Sequence, residues 1–140
     1  MAAVKLLCDT GPLAAFLNRA DQFHRWAREQ FGRIHQPLLT CEAVISETVF
    51  LLHEGGLRAD PVFEMVARGK LVGAFAAAEH WVDLRHLIGK YQDQPMSFAD
   101  ACLVRMSELF NECQVMTTDS HFGIYRRTGR RMIPVLWPFD

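Results

Sequence analysis

The chain has 140 residues, half of them hydrophobic and 22% charged, which suits one folded domain spanning 1–140 and excludes a disordered or fibrous protein. Fifteen Lys and Arg against 16 Asp and Glu leave a net charge of −1, so the basic signature common among nucleic-acid-binding domains is absent. No apolar run reaches the roughly 18 residues of a membrane span, and the stretch before Asp9 is too short for a signal-peptide core, so a cytoplasmic protein with no membrane partner is expected.

VKLLC (4–8) reads as a buried strand, and Asp9, Thr10, Gly11 and Pro12 then open a helix with Pro in its first turn. Phe23, Trp26, Ala27 and Phe31 recur at helical spacing and predict an amphipathic helix over 22–32. A short strand over 37–39 follows, with Thr40 as the expected cap of a helix over 42–53 that Gly55 and Gly56 close. Residues 59–68 form another helix and 71–75 a strand. AAAEHWVDLRHLIGKY reads as a helix with Trp81, Leu84, Leu87 and Ile88 on one side, broken at Asp93 and Pro95. A helix from Ser97 to about Asn111, a strand VMTTD (115–119), a short helix SHFGIYRR and a last strand MIPVLW complete the chain, with Pro134 tolerable only near a sheet edge. Alternating strands and helices imply an α/β fold whose parallel sheet carries helices on both faces. Ligands in such sheets bind beyond the carboxyl ends of the strands, where Asp9 and Asp119 both fall.

Cys8, Cys41, Cys102 and Cys113 are scattered among apolar segments without a CxxC pair and read as reduced core thiols. The acids are more informative. Asp9 and Asp119 each have a plain alternative as helix caps, and Ser97 with Asp100 resembles a capping box. Glu47 shares a helical stripe with Val44 and Leu51, and its neighbours at i±3 and i±4 include no Lys or Arg. A buried, unpaired Glu costs several kcal/mol, which leaves a neutral form, a distant partner or a cation. Four carboxylates converging on one point repel one another unless a cation joins them, and hard oxygen donors of this kind suit Mg²⁺ or Mn²⁺. Committing four of the 16 acids to a cation would leave 15 basic side chains facing 12 acids, a surface compatible with a polyanion.

The order DTGPLAAFLN, VISETVFLL, YQDQPMSFADACLV and VMTTDSHFGIYRR resembles the PIN domain family, in particular the toxins of VapBC-type toxin-antitoxin pairs, over nearly the whole chain. The resemblance implies a three-layer fold with a central parallel sheet flanked by helices. It also implies Mg²⁺-dependent (or Mn²⁺-dependent) endoribonuclease activity, with Asp9, Glu47, Asp100 and Asp119 matching the four acids and Thr10 and Thr118 the small hydroxyl positions that orient them. An RNA substrate, an antitoxin partner and a homodimer follow from the same resemblance. Arg126 and Arg127, in a cluster with Arg130 and Arg131, are candidate RNA contacts whose alternative is a solvated turn. Phe16, Phe50 and Leu52 are candidates for a self-association surface, and His121 is the one histidine near the acids in sequence. The competing readings are a noncatalytic PIN-like module holding a partner or structural cation, a receiver-like domain, and a dehalogenase-like phosphohydrolase. The last two need a paired acid or DxD after the first strand, where this chain has Asp9, Thr10 and Gly11.

Overall fold

The computed structural model describes residues 3–140. The elements run β1 (Lys5–Cys8), α1 (Thr10–Leu17), α2 (His24–Arg33), β2 (Leu38–Thr40), α3 (Glu42–Glu54), α4 (Asp60–Ala67), β3 (Leu71–Gly73), α5 (Trp81–Lys90), α6 (Phe98–Leu109), β4 (Cys113–Met116), β5 (Arg126–Arg127), β6 (Arg131–Met132) and β7 (Val135–Leu136). Five strands form a parallel sheet in the order β3-β2-β1-β4-β7, flanked by the six helices. This is the parallel α/β architecture expected from the sequence.

The sheet is held by apolar strand residues with no contact with water: Leu7 and Cys8 on β1, and Val115 and Met116 on β4. Their register, Leu7 beside Val115 and Cys8 beside Met116, ends both strands at the same rim. From β1 the chain moves to β2 and β3 on one side, while β4 and β7 lie on the other, so the topological switch point falls between β1 and β4. Helix α6 is the most deeply set, with Ala101, Leu103, Val104 and Met106 fully buried.

Several expectations are corrected. The stripe that α3 buries is Val44, Thr48 and Leu52, because Thr48 satisfies its hydroxyl on the Val44 carbonyl at 2.7 Å and so behaves as a core residue. Leu51 is exposed, Glu47 flanks the stripe half-buried, and Leu52 is interior and unavailable for self-association. Thr40 does not cap α3. Its hydroxyl instead donates to the Cys8 carbonyl at 3.0 Å, tying β2 to β1, and Cys41 occupies the cap position. Helix α5 begins only at Trp81, after a 3₁₀ turn at Ala77–Glu79; Trp81 and Ile88 are exposed while Leu84 and Leu87 face inward.

The C-terminal part departs most. SHFGIYRR is a 3₁₀ turn at Ser120–Gly123 followed by β5, which pairs antiparallel with β6. Thr128 and Gly129 both take positive φ, 49° and 85°, in the turn 128–130 that joins Arg127 to its partner Arg131. MIPVLW is likewise two strands separated at Pro134. Because β7 forms a sheet edge, the missing amide of Pro134 costs no ladder bond, and its carbonyl still accepts from Val115 N–H at 2.8 Å. The four cysteines are buried free thiols.

Candidate active site

Asp9 stands where β1 gives way to α1. Its extended backbone caps the helix, Oδ1 accepting from Thr10 N–H at 2.7 Å, while Oδ2 accepts from the Thr117 hydroxyl at 2.7 Å. The same Thr117 oxygen accepts from Asp119 N–H at 2.9 Å, so one buried hydroxyl joins the first and last acids. Asp119 then caps the 3₁₀ turn, Oδ1 meeting His121 N–H at 2.9 Å and His121 Nδ1 at 2.6 Å.

Asp100 enters from α6. Ser97 and Asp100 form a complete capping box, the Ser97 hydroxyl accepting from Asp100 N–H at 3.0 Å and Asp100 Oδ2 accepting from Ser97 N–H at 3.1 Å. The cap holds the carboxylate still rather than competing with a site role. Glu47 reaches over from α3, where Oε2 accepts from the Thr10 hydroxyl at 3.0 Å. Four elements distant in sequence therefore bring their acids to the rim at the sheet's switch point.

Asp9 and Asp100 are only 5% and 7% exposed. Burial pushes Asp9 up to about 7, with Asp100 and Asp119 adding repulsion and the bonds from Thr117 and Thr10 opposing it. Asp100 is pushed up to about 6 by burial and by Asp119 and Glu47, against the Ser97 bonds. Among the described residues no Lys or Arg forms an ion pair with any of the four acids, and His121 is the one basic side chain in contact. This is a concentration of uncompensated negative charge.

The donor set is entirely hard oxygen. Among the described residues, Asp100 Oδ1, Asp119 Oδ2 and Glu47 Oε1 accept from no protein donor. No three His, Cys, Asp or Glu side chains are gathered into a ready-made cage among those residues. A small divalent ion that keeps several waters and needs one or two carboxylates fits such an open rim better than an all-protein cage would.

Sequence reasoning selected Thr118 as an orienting hydroxyl, but the one that bonds the acids is its neighbour, Thr117. Thr118 instead lies against Gly11, where any Cβ would collide with its hydroxyl, so Gly11 allows α1 to start close under the β4 loop. Tyr125 was also missed: it is fully buried with its hydroxyl 3.4 Å from Asp100 Oδ2, and no spacing in the sequence links those two positions.

The basic cluster divides. Arg127 is 4% exposed, its Nη2 donating to the Phe110 and Asn111 carbonyls at 3.1 and 3.3 Å just beyond α6. Arg126 folds its Nη1 onto the carbonyls of Gly123, Ile124 and Tyr125. Arg130 and Arg131 are exposed. Arg127 is thus a structural side chain neutralising the carboxyl end of α6. Arg127→Ala should cost about 2–3 kcal/mol in urea denaturation through lost charge-assisted bonds. RNA affinity of the folded fraction should be unchanged, and a filter-binding assay would show otherwise if Arg127 met phosphate.

No curated protein matches the chain in sequence. Among solved structures it is similar to the VapC20 toxin of Mycobacterium tuberculosis, described as a Sarcin-Ricin loop cleaving toxin, with a TM-score of 0.72 and 20% identity over 91% of this chain and 99% of that one. A likeness at that identity speaks for the fold. The PIN domain model matches residues 6–127, a span that contains Asp9, Glu47, Asp100 and Asp119, and the chain therefore belongs to the PIN domain family.

Proposed function

We propose that the protein is a metal-dependent endoribonuclease that hydrolyses RNA phosphodiester bonds at the rim formed by Asp9, Glu47, Asp100 and Asp119, and that it acts as the toxin of a type II toxin-antitoxin pair. The observation that carries this reading is the pair of buried carboxylates, Asp9 and Asp100, delivered from separate elements and pushed above their ordinary range without a Lys or Arg to offset them. Burial and mutual repulsion push both acids toward the neutral form, and a bound cation would restore their charge. Family membership supports a nuclease, and a fold shared with a protein described as a Sarcin-Ricin loop cleaving toxin is compatible with the toxin role.

In this reading Asp9, Asp100 and Asp119 hold Mg²⁺ or Mn²⁺, and Thr10 and Thr117 keep Glu47 and Asp9 from rotating away. Bound there, the ion supplies an acidified water and offsets charge on the phosphate. Glu47, half-buried with Oε1 accepting from no protein donor among the described residues, would orient a water held there and accept its proton. Arg130 and Arg131 on the β5–β6 hairpin offer charge to the RNA backbone. The exposed Phe50 and Phe63 of α3 and α4 give the antitoxin or a second copy an apolar surface, beside a groove of about 520 Å³ that Ile45, Val49, Phe63 and Val66 help to line. The test is cleavage of labelled single-stranded and structured RNAs by the purified protein with Mg²⁺, with Mn²⁺ and with EDTA. Cutting that requires the cation supports the reading; cation uptake without cutting of any RNA favours the noncatalytic module.

A further inference from the structure

Tyr125 falls inside the stretch VMTTDSHFGIYRR but is none of its acids or hydroxyl positions, yet among the described residues it is the one tyrosine whose hydroxyl bonds to an acid of the rim. Its ring is packed edge-on between Tyr91 and Phe122, with centroids 5.1 and 5.2 Å away. The backbone around it is fixed too: Tyr125 N–H donates to the His121 carbonyl at 3.1 Å, and the next amide, Arg126 N–H, donates to the Tyr91 hydroxyl at 2.8 Å. The ring cannot swing without dismantling this cluster. Its hydroxyl is sealed from water and has Asp100 Oδ2 as its partner among the described residues, at 3.4 Å.

Geometry makes that contact more than a filled space. Tyr125 follows directly from the 3₁₀ turn that Asp119 caps, so the segment from Asp119 to Tyr125 forms a short bridge with one acid at its start and a hand on another at its end. Ser97 N–H and the Tyr125 hydroxyl approach the same oxygen of Asp100 from α6 and from the bridge. Oδ2 is held twice, and among the described residues Oδ1 accepts from no protein donor. Were Asp100 to turn, the buried phenol would be orphaned, a penalty that opposes rotation.

We infer that Tyr125 is a positioning residue: through its hydroxyl it fixes the Asp100 carboxylate relative to Asp119, so that Asp100 Oδ1 is presented to the divalent ion. The inference rests on the cation-dependent reading above and deepens it. Tyr125 touches neither substrate nor ion, and its role belongs with the outer partners that orient ligating carboxylates, whose loss typically lowers ion affinity or turnover by about 10- to 100-fold.

The test is Tyr125→Phe, which keeps the ring and deletes only the hydroxyl, beside Tyr91→Phe, which removes the Arg126 amide's acceptor in the same cluster without touching Asp100. Mn²⁺ binding is measured by calorimetry on each folded protein, and RNA cleavage is resolved into kcat and KM. Tyr125→Phe should bind Mn²⁺ about tenfold more weakly and lose kcat by a similar factor with KM for RNA unchanged. Tyr91→Phe should lower the melting temperature and leave Mn²⁺ affinity alone. Equal Mn²⁺ affinity and kcat in Tyr125→Phe and wild type overturn the inference while the nuclease reading stands. Parallel losses in both variants reduce Tyr125 to a packing residue. A wild type that neither binds Mn²⁺ nor cuts RNA overturns the reading and the inference together.

Discussion

Asp100→Asn is expected to lower cation-dependent RNA cleavage by about a thousandfold, equivalent to about 4 kcal/mol of barrier, in a protein that remains folded. The fold survives because the amide oxygen of Asn can take the place of Oδ2, accepting from Ser97 N–H and the Tyr125 hydroxyl, while the Ser97 hydroxyl still accepts from the residue-100 amide. Activity does not survive because the other oxygen becomes an NH₂ group, a donor where the cation needs an acceptor. Removing a charge that burial and Asp119 both oppose should leave the melting temperature equal or higher at pH 8. Single-turnover cleavage and a thermal melt on the same preparation separate the possibilities. Cleavage within tenfold of wild type would remove Asp100 from the chemistry, and a large drop in melting temperature would make it a helix cap only.

The ease of reading Asp9 and Asp100 in the sequence has the same physical origin as their chemistry. A carboxylate directly after an apolar strand, or at the head of an apolar helix, has its place fixed by the burial of its neighbours: Leu7 and Cys8 on one side, Ala101 and Leu103 on the other. The parallel sheet was equally legible, because each strand is an apolar run followed by a helix. Strand order was not, since it depends on pairings such as Leu7 with Val115 that no local pattern records. The hairpin at residues 126–132 escaped because two-residue strands have no periodicity to detect. Polar side chains that reached the interior left no local mark. Thr48 and Thr117 bond to partners that the fold supplies, the Val44 carbonyl and Asp9, and Arg127, read from its charge as a candidate RNA contact, is held by the carbonyls beyond α6 while its Nε, among the described residues, stays buried without a partner.

Between pH 4 and 7 the cation-free protein is expected to lose stability as pH rises, and Asp9→Asn should abolish much of that loss. Asp9 has an ordinary value of 3.8 when unfolded and about 7 in the fold, so within this window the native state holds a proton that the unfolded chain has released. A native state that binds more protons becomes less stable with rising pH, and the loss levels off once the folded group has also ionised. Asp100, raised to about 6, acts in the same direction over a narrower range. The displacement of Asp9 corresponds to about 4 kcal/mol at 1.36 kcal/mol per pH unit, and Asn, which cannot ionise, avoids it. Urea denaturation in EDTA should therefore show Asp9→Asn more stable than wild type at pH 8 and no better at pH 3.5. A divalent ion should reverse the ranking: at 100 times its dissociation constant it adds about 2.7 kcal/mol to the wild type, and it has little purchase on a rim that lacks Asp9. If Mg²⁺ and Mn²⁺ stabilise both proteins alike, the ions bind elsewhere; if Asp9→Asn is the weaker protein at pH 8, the bonds from Thr10 and Thr117 outweigh the cost of burial and the smaller repulsion, and Asp9 is a cap. The outcome expected here is a trade in which the apo fold is held below its attainable stability by acids that only a cation can reconcile.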